Sequence, residues 1–144
     1  MHSLTDEQIK EIAEQLDCGF RCFWNSQTNV FIFIPDLLKH PDIDESAWEE
    51  ENNMLESDWG DFKEIESLSS KDSFKIMEDF VEQLSDKVPL KFQLINALNH
   101  KKPFRHFKFV IDNSREYRQA WFDFKREWLH NWIQEKFNDL IEGS

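Results

Sequence analysis

Two short runs of residues constrain this chain more than anything else in it. Phe20–Trp24 and Val30–Ile34 are rich in aromatic and β-branched side chains, and the five residues between them, Asn25-Ser26-Gln27-Thr28-Asn29, are all polar. Such side chains suit a pleated surface, and a short polar break between two of these runs closes a hairpin. The second run, Val-Phe-Ile-Phe-Ile, is apolar on both faces, so it is expected to be covered on both sides or central in a small sheet. Pro35 ends it, because proline offers no N–H to a strand ladder. Phe62 to Ser67 reads as a third strand that returns to the hairpin.

The rest of the chain carries helical spacing. Thr5 and Gln8 stand at capping-box distance before an apolar face of Ile9, Ile12, Ala13 and Leu16, and Gly19 stops that helix. Ser46 and Glu49 repeat the spacing and predict a short helix over 46–57, with a thin face of Trp48 and Leu55. Ser69 caps a helix running to about Leu84, with Phe74, Met77, Phe80, Val81 and Leu84 inward. Pro89 and Pro103 suit the first turns of two further helices. The first carries Leu90, Leu94, Ile95 and Leu98, the second Phe104, Phe107 and Ile111. A last helix over 115–141 shows a stripe of Tyr117, Trp121, Phe124, Trp128 and Trp132, flanked by Leu129, Ile133 and Leu140.

The fold class expected is α+β: a small antiparallel sheet, made of the hairpin and the third strand, with an N-terminal helix, packed against a C-terminal bundle of about four helices. At 144 residues the chain has the size of one domain, with a mixed part at 1–67 and a helical part at 68–144. Of its aromatic side chains 14 are Phe and only 1 is Tyr, so most rings lack a polar handle and belong in the core. Trp48 and Trp59, with few apolar neighbours in sequence, are the ones expected at the surface.

A cytoplasmic location is expected. Residues 1–16 are polar and acidic, unlike a leader peptide, and no apolar run approaches the length of a membrane span. Cys18 and Cys22 read as part of one strand, which would hold them roughly 13 Å apart, beyond disulfide reach. Two free, buried thiols in a reducing compartment are expected.

The net charge of −12 is unevenly spread. Residues 36–66 hold twelve acids against two bases, whereas residues 100–144 hold nine bases against seven acids. Charge acts within about 8–10 Å in cell-like salt, so the two regions present different surfaces. The positive excess concentrates in His100-Lys101-Lys102-Pro103-Phe104-Arg105-His106-Phe107-Lys108, with no acid until Asp112. A helix start is already partly positive and usually carries Asp, Glu, Ser or Thr. Lys101, Lys102, Arg105, His106 and Lys108 there make a candidate site for an anion: phosphate, nucleic-acid backbone or an acidic partner. Pairing with the chain's own acidic segment is the other reading, and it stays open.

That acidic segment, 36–61, presents Asp42, Asp44, Glu45, Glu49, Glu50, Glu51, Glu56, Asp58 and Asp61. A solvated surface is its ordinary meaning; the sharper one is a decoy that mimics nucleic acid and occupies a basic protein through residues 42–61. It is not a calcium loop, since counting from Asp42 places Ala47 where glycine is needed and Asn53 where glutamate is needed. The five histidines, at 2, 40, 100, 106 and 130, lack metal-ligand spacing, so neither metal nor cofactor is expected. Glu78, Asp79 and Glu82 are the nominal carboxylate cluster, and Lys75 is spaced to pair with it as on any exposed helix. No catalytic residue is assigned.

The run Leu68-Ser-Ser-Lys-Asp-Ser-Phe-Lys-Ile-Met-Glu-Asp-Phe-Val81, followed by Lys102-Pro-Phe-Arg-His-Phe-Lys108 and Trp121-Phe-Asp-Phe124, resembles the signature of an uncharacterised bacterial protein family numbered 0158. The resemblance covers about 62–130. It implies a bacterial cytoplasmic protein and transfers no catalytic residue. The function expected is a non-enzymatic binding or regulatory module with an anion-binding patch around 101–108. The acidic decoy is the first alternative and an uncharacterised enzyme the second. A protein partner is expected ahead of nucleic acid, and no membrane.

Overall fold

The computed structural model describes residues 3–143; His2 lies outside them. Those residues form two compact units, 3–67 with 129–143, and 68–128. Six α-helices and three strands are present among them, an α+β architecture.

The first unit begins with α1 (Asp6–Asp17). Its capping box is formed as the spacing predicts: the Gln8 amide donates to Thr5 Oγ1 at 3.1 Å and the Thr5 amide to Gln8 Oε1 at 2.9 Å. Ile9, Ile12, Ala13 and Leu16 are all buried. Gly19 follows in the left-handed region at φ 83°, and the chain reverses into β1 (Phe20–Asn25). Cys18 is therefore the helix's C-cap, not a strand residue, and it is exposed. Cys22 is buried on β1, and both thiols are free.

β1 pairs antiparallel with β2 (Phe31–Pro35) and with β3 (Phe62–Ile65). The order β2-β1-β3 makes the first run the central strand and the second an edge, contrary to one of the two expectations for it. Between β3 and β1, Glu64 forms a two-pronged ion pair with Arg21, at 2.8 and 3.0 Å. In the hairpin loop Asn25 Oδ1 accepts from the amides of Gln27 and Thr28, and Asn29 takes φ 59°, a conformation asparagine tolerates.

One sheet face buries Phe23, Ile32 and Ile34 with Leu55 of α2 (Glu49–Ser57). A 3-10 turn, Glu45–Trp48, leads into that helix. Its cap is Asp44 rather than Ser46: Asp44 Oδ1 accepts from both the Ser46 amide and hydroxyl. That amide is one of the orphan N–H groups at the start of the turn, and a charged oxygen caps it well. Trp59 is 64% exposed as expected, whereas Trp48 is half-buried, its ring edge-on to Phe20 at 5.8 Å. On the other side of the sheet Trp24 meets Phe137 edge-to-face at 4.7 Å.

The second unit is helical: α3 (Ser70–Gln83), α4 (Pro89–Leu98), α5 (Pro103–Asp112) and the first half of α6 (Glu116–Glu142). Ser69 caps α3 by accepting from the Asp72 amide. Met77, Phe80 and Val81 of α3, Leu90, Leu94 and Ala97 of α4, and Phe107 and Ile111 of α5 form its core, with Tyr117, Trp121 and Phe124 against them. Ile95 and Phe104, expected inward, are partly exposed; Ala97 takes the inward place on α4. The buried residues of α6 are Leu129, Ile133 and Phe137 rather than the tryptophan stripe, and all three belong to the first unit.

Candidate functional site

The basic segment lies where α4 ends and α5 begins. Asn99 caps α4, and His100 to Lys102 form a tight bend closed by Pro103 at the first turn of α5. Lys102 occupies the N-cap of α5 with no side-chain cap hydrogen bond, and no acid stands in the first turn. Proline at this point removes one orphan N–H and fixes the entry, so the helix starts without an acidic cap. Among the described residues of the unit 68–128, Lys101, Lys102, Arg105 and Lys108 form no ion pair within that unit. All four are exposed.

Around α5 the side chains sort by angle at 3.6 residues per turn. Phe107 and Ile111 point into the core. Phe104 stands at the rim, 44% exposed, with its ring edge-on to Phe74 at 6.3 Å. Lys108 and Arg105 follow, and then Phe109, 68% exposed and directed away from the core. Two cations thus lie between two exposed rings on an arc of about 140°. Asp112, the one acid on this arc, faces Arg118 Nε at 3.4 Å, which offsets its charge. The sequence reading named the cations but missed both rings as surface features. The signal was there for Phe109: two positions from Phe107, it falls about 200° round the helix.

His106 differs from its neighbours. It is half-buried and stacks on His100, ring centroids 3.8 Å apart and planes 27° apart. Burial, together with His100, Arg105 and Lys102, pushes its pKa below the usual histidine value. His106 therefore adds less to the charge of this surface than the lysines and arginine do.

The carboxylate cluster on α3 is committed to structure. Asp79 accepts from Lys75 Nζ at 2.9 Å and from the indole Nε1 of Trp128 at 3.0 Å. Partial burial pushes the Asp79 carboxyl up, but these two donors outweigh it and hold its pKa below the usual range. Glu78 and Glu82 are exposed beside it. In the first unit a cleft of about 430 Å³ opens beside β2, lined by Arg21, Asp36, Glu45, Trp48 and Asn52. None of Glu78, Asp79 and His106 lines it, and its Arg21 is held by Glu64.

Each member of the acidic set Asp42, Asp44, Glu45, Glu49, Glu50, Glu56, Asp58 and Asp61 is exposed, and Glu51 is half-buried. Hydrogen bonds from Ser46 hold Asp44 below the ordinary carboxylate range. His40 Nε2 donates to the Cys18 carbonyl at 2.7 Å, and His130 faces Asp6 at 3.8 Å. Among the described residues no helix is long and apolar enough to cross a membrane.

The model of an uncharacterised protein family, UPF0158, matches residues 3–140, a longer span than the three sequence motifs alone covered. The UPF0158 protein PA5073 of Pseudomonas aeruginosa is 30% identical over 138 residues, covering 92% of this chain and 82% of that protein. No solved structure matches the chain. The family match takes in the hairpin and the acidic segment as well as the helical unit, so the chain belongs to the uncharacterised protein family UPF0158.

Proposed function

We propose that this chain is a non-enzymatic binding module of the bacterial cytoplasm that captures an anionic partner, a protein, on the surface of Lys101, Lys102, Arg105 and Lys108. One observation carries the reading: Lys101, Lys102 and Arg105 stand exposed at the start of α5 with no acidic cap, where the helix dipole opposes them. Positive charge at a helix start costs a few tenths of a kcal/mol or more for each group. A sequence that keeps three such charges there, with Lys108 a turn further on, gains something other than helix stability. Exposed backbone N–H groups of the first turn add to the attraction for carboxylate or phosphate. The flanking rings Phe104 and Phe109 favour a partner with apolar as well as acidic side chains, hence a protein before a nucleic acid.

The test is affinity capture from the native cell, with and without nuclease, using the wild type and Lys102→Glu/Arg105→Glu. The reading expects a nuclease-resistant partner that the folded double variant fails to hold. A double variant that folds and keeps every partner overturns it. Neutralising the acids of 42–61 serves the decoy reading in the same assay, which expects a basic partner to be lost there instead.

A further inference from the structure

We infer that the outer face of α5 docks the acidic helix α2 of a second copy of this chain, so that copies associate head to tail. The inference rests on the anionic-partner reading above and names that partner. α5 presents Lys108 and Arg105 between the exposed rings of Phe104 and Phe109. The same chain carries a surface of opposite character. Along α2 only Leu55 is buried, which leaves Glu49, Glu50 and Glu56 outward with Met54 beside them. Exposed Asp58 and Trp59 follow directly. No lysine or arginine occurs from residue 40 to residue 62.

The two faces match in chemistry and in size. Each mixes charge of one sign with exposed apolar side chains, Met54 and Trp59 on one and Phe104 and Phe109 on the other. Nine residues of α2 and ten of α5 give helices of about 14 and 15 Å at 1.5 Å per residue. An antiparallel arrangement brings the C-terminal end of α2, with Glu56, Asp58 and Trp59, to the N-terminal end of α5, with Lys101, Lys102 and Phe104. That arrangement also sets the negative end of one helix dipole against the positive end of the other. Because the two patches differ, the contact is heterologous, and each associated copy still offers one unused face. A single pair of short helices buries less than the roughly 1,200 Å² of a stable interface, so association is weak, concentration-dependent and sensitive to salt.

The experiment is sedimentation velocity on the full chain over a wide concentration range, at low and high salt, with the fold of each variant checked by circular dichroism. The wild type is expected to grow beyond the monomer at low salt and return to it at high salt. Lys102→Glu/Arg105→Glu and Glu50→Lys/Glu56→Lys are each expected to stay monomeric alone. Mixed in equal amounts they are expected to associate, since each then supplies the other's complement. Phe109→Ala, which changes no charge, is expected to weaken wild-type association about fivefold. A wild type that stays monomeric throughout overturns the inference, as does a mixture that stays monomeric or a reversed variant that self-associates like the wild type. A monomeric wild type that still loses a captured partner on Lys102→Glu/Arg105→Glu overturns the second copy alone and leaves the anionic-partner reading standing. Loss of neither overturns both.

Discussion

Gly19 shows how a single residue sets the entry to the sheet. Its φ of 83° favours glycine, and a Cβ there would stand 2.8 Å from His40 Nε2. The same turn is tied by the Asp36 amide donating to the Gly19 carbonyl at 3.0 Å. Gly19→Ala is expected to destabilise by about 1–2 kcal/mol, from left-handed backbone strain before any shift of His40. A denaturant midpoint would register it. The cysteines give a second check at this scale. Burial pushes the Cys22 thiol up to about 12, while Cys18 is exposed. A thiol reagent at neutral pH is expected to label Cys18 in the folded protein and to reach Cys22 only after unfolding. His106 supplies a third. With its pKa lowered, its contribution to stability is present above the unfolded value near 6.5 and is lost as pH falls through the folded value. Its NMR titration midpoint is expected below that of a free histidine, and Lys102→Glu/Arg105→Glu is expected to raise it by removing two of the repelling charges.

At the scale of elements, α5 separates stability from binding. Removing cations from a helix start relieves the dipole, so Lys102→Glu/Arg105→Glu is expected to hold or raise the melting temperature of the helical unit while abolishing capture. A lower melting temperature would mean these cations are structural. The starts of α1 and α3 were legible in sequence because an N-cap is decided within four residues: Thr5 with Gln8 in a capping box, and Ser69 accepting from the Asp72 amide. The start of the α2 region was not, because Asp44 caps the preceding 3-10 turn by taking both the Ser46 amide and hydroxyl, which leaves Ser46 inside the turn. Strand order was hidden for a different reason. β2 is more apolar than β1, yet β1 is central because β3 pairs with it, and the Arg21–Glu64 contact between those strands spans 43 positions, beyond any local pattern. The basic surface was legible as a run of cations. Phe109 was legible too, about 200° round from Phe107, but Phe104 was not, because it shares the spacing of the inward residues yet is 44% exposed.

For the whole molecule, α6 is the element whose sequence misleads and whose structure explains why. A helix facing one core would keep one stripe; α6 gives Tyr117, Trp121 and Phe124 to the helical unit and Leu129, Ile133 and Phe137 to the unit with the sheet. The stripe changes composition along its length, so a search for one periodic face settles on the tryptophans and misses Phe137. Phe80, packed edge-on against both Trp121 and Phe124 at 5.3 and 5.4 Å, anchors the helical unit. Phe80→Ala is expected to cost about 3–5 kcal/mol, and calorimetry should show whether the loss stays in one transition. We propose that the chain behaves as one domain, since a single unbroken helix serves both units. A calorimetric trace with two separable transitions would overturn that.

The division of α6 also fixes an order of events during synthesis. Residues 3–67 leave the ribosome first, but Trp24 and Phe31 of their sheet meet Phe137, which is made about seventy residues after the last strand. The helical unit, 68–128, is complete before that ring exists. Of the two units, the one begun first is therefore the one completed second, and until then its sheet lacks the ring that covers Trp24 and Phe31.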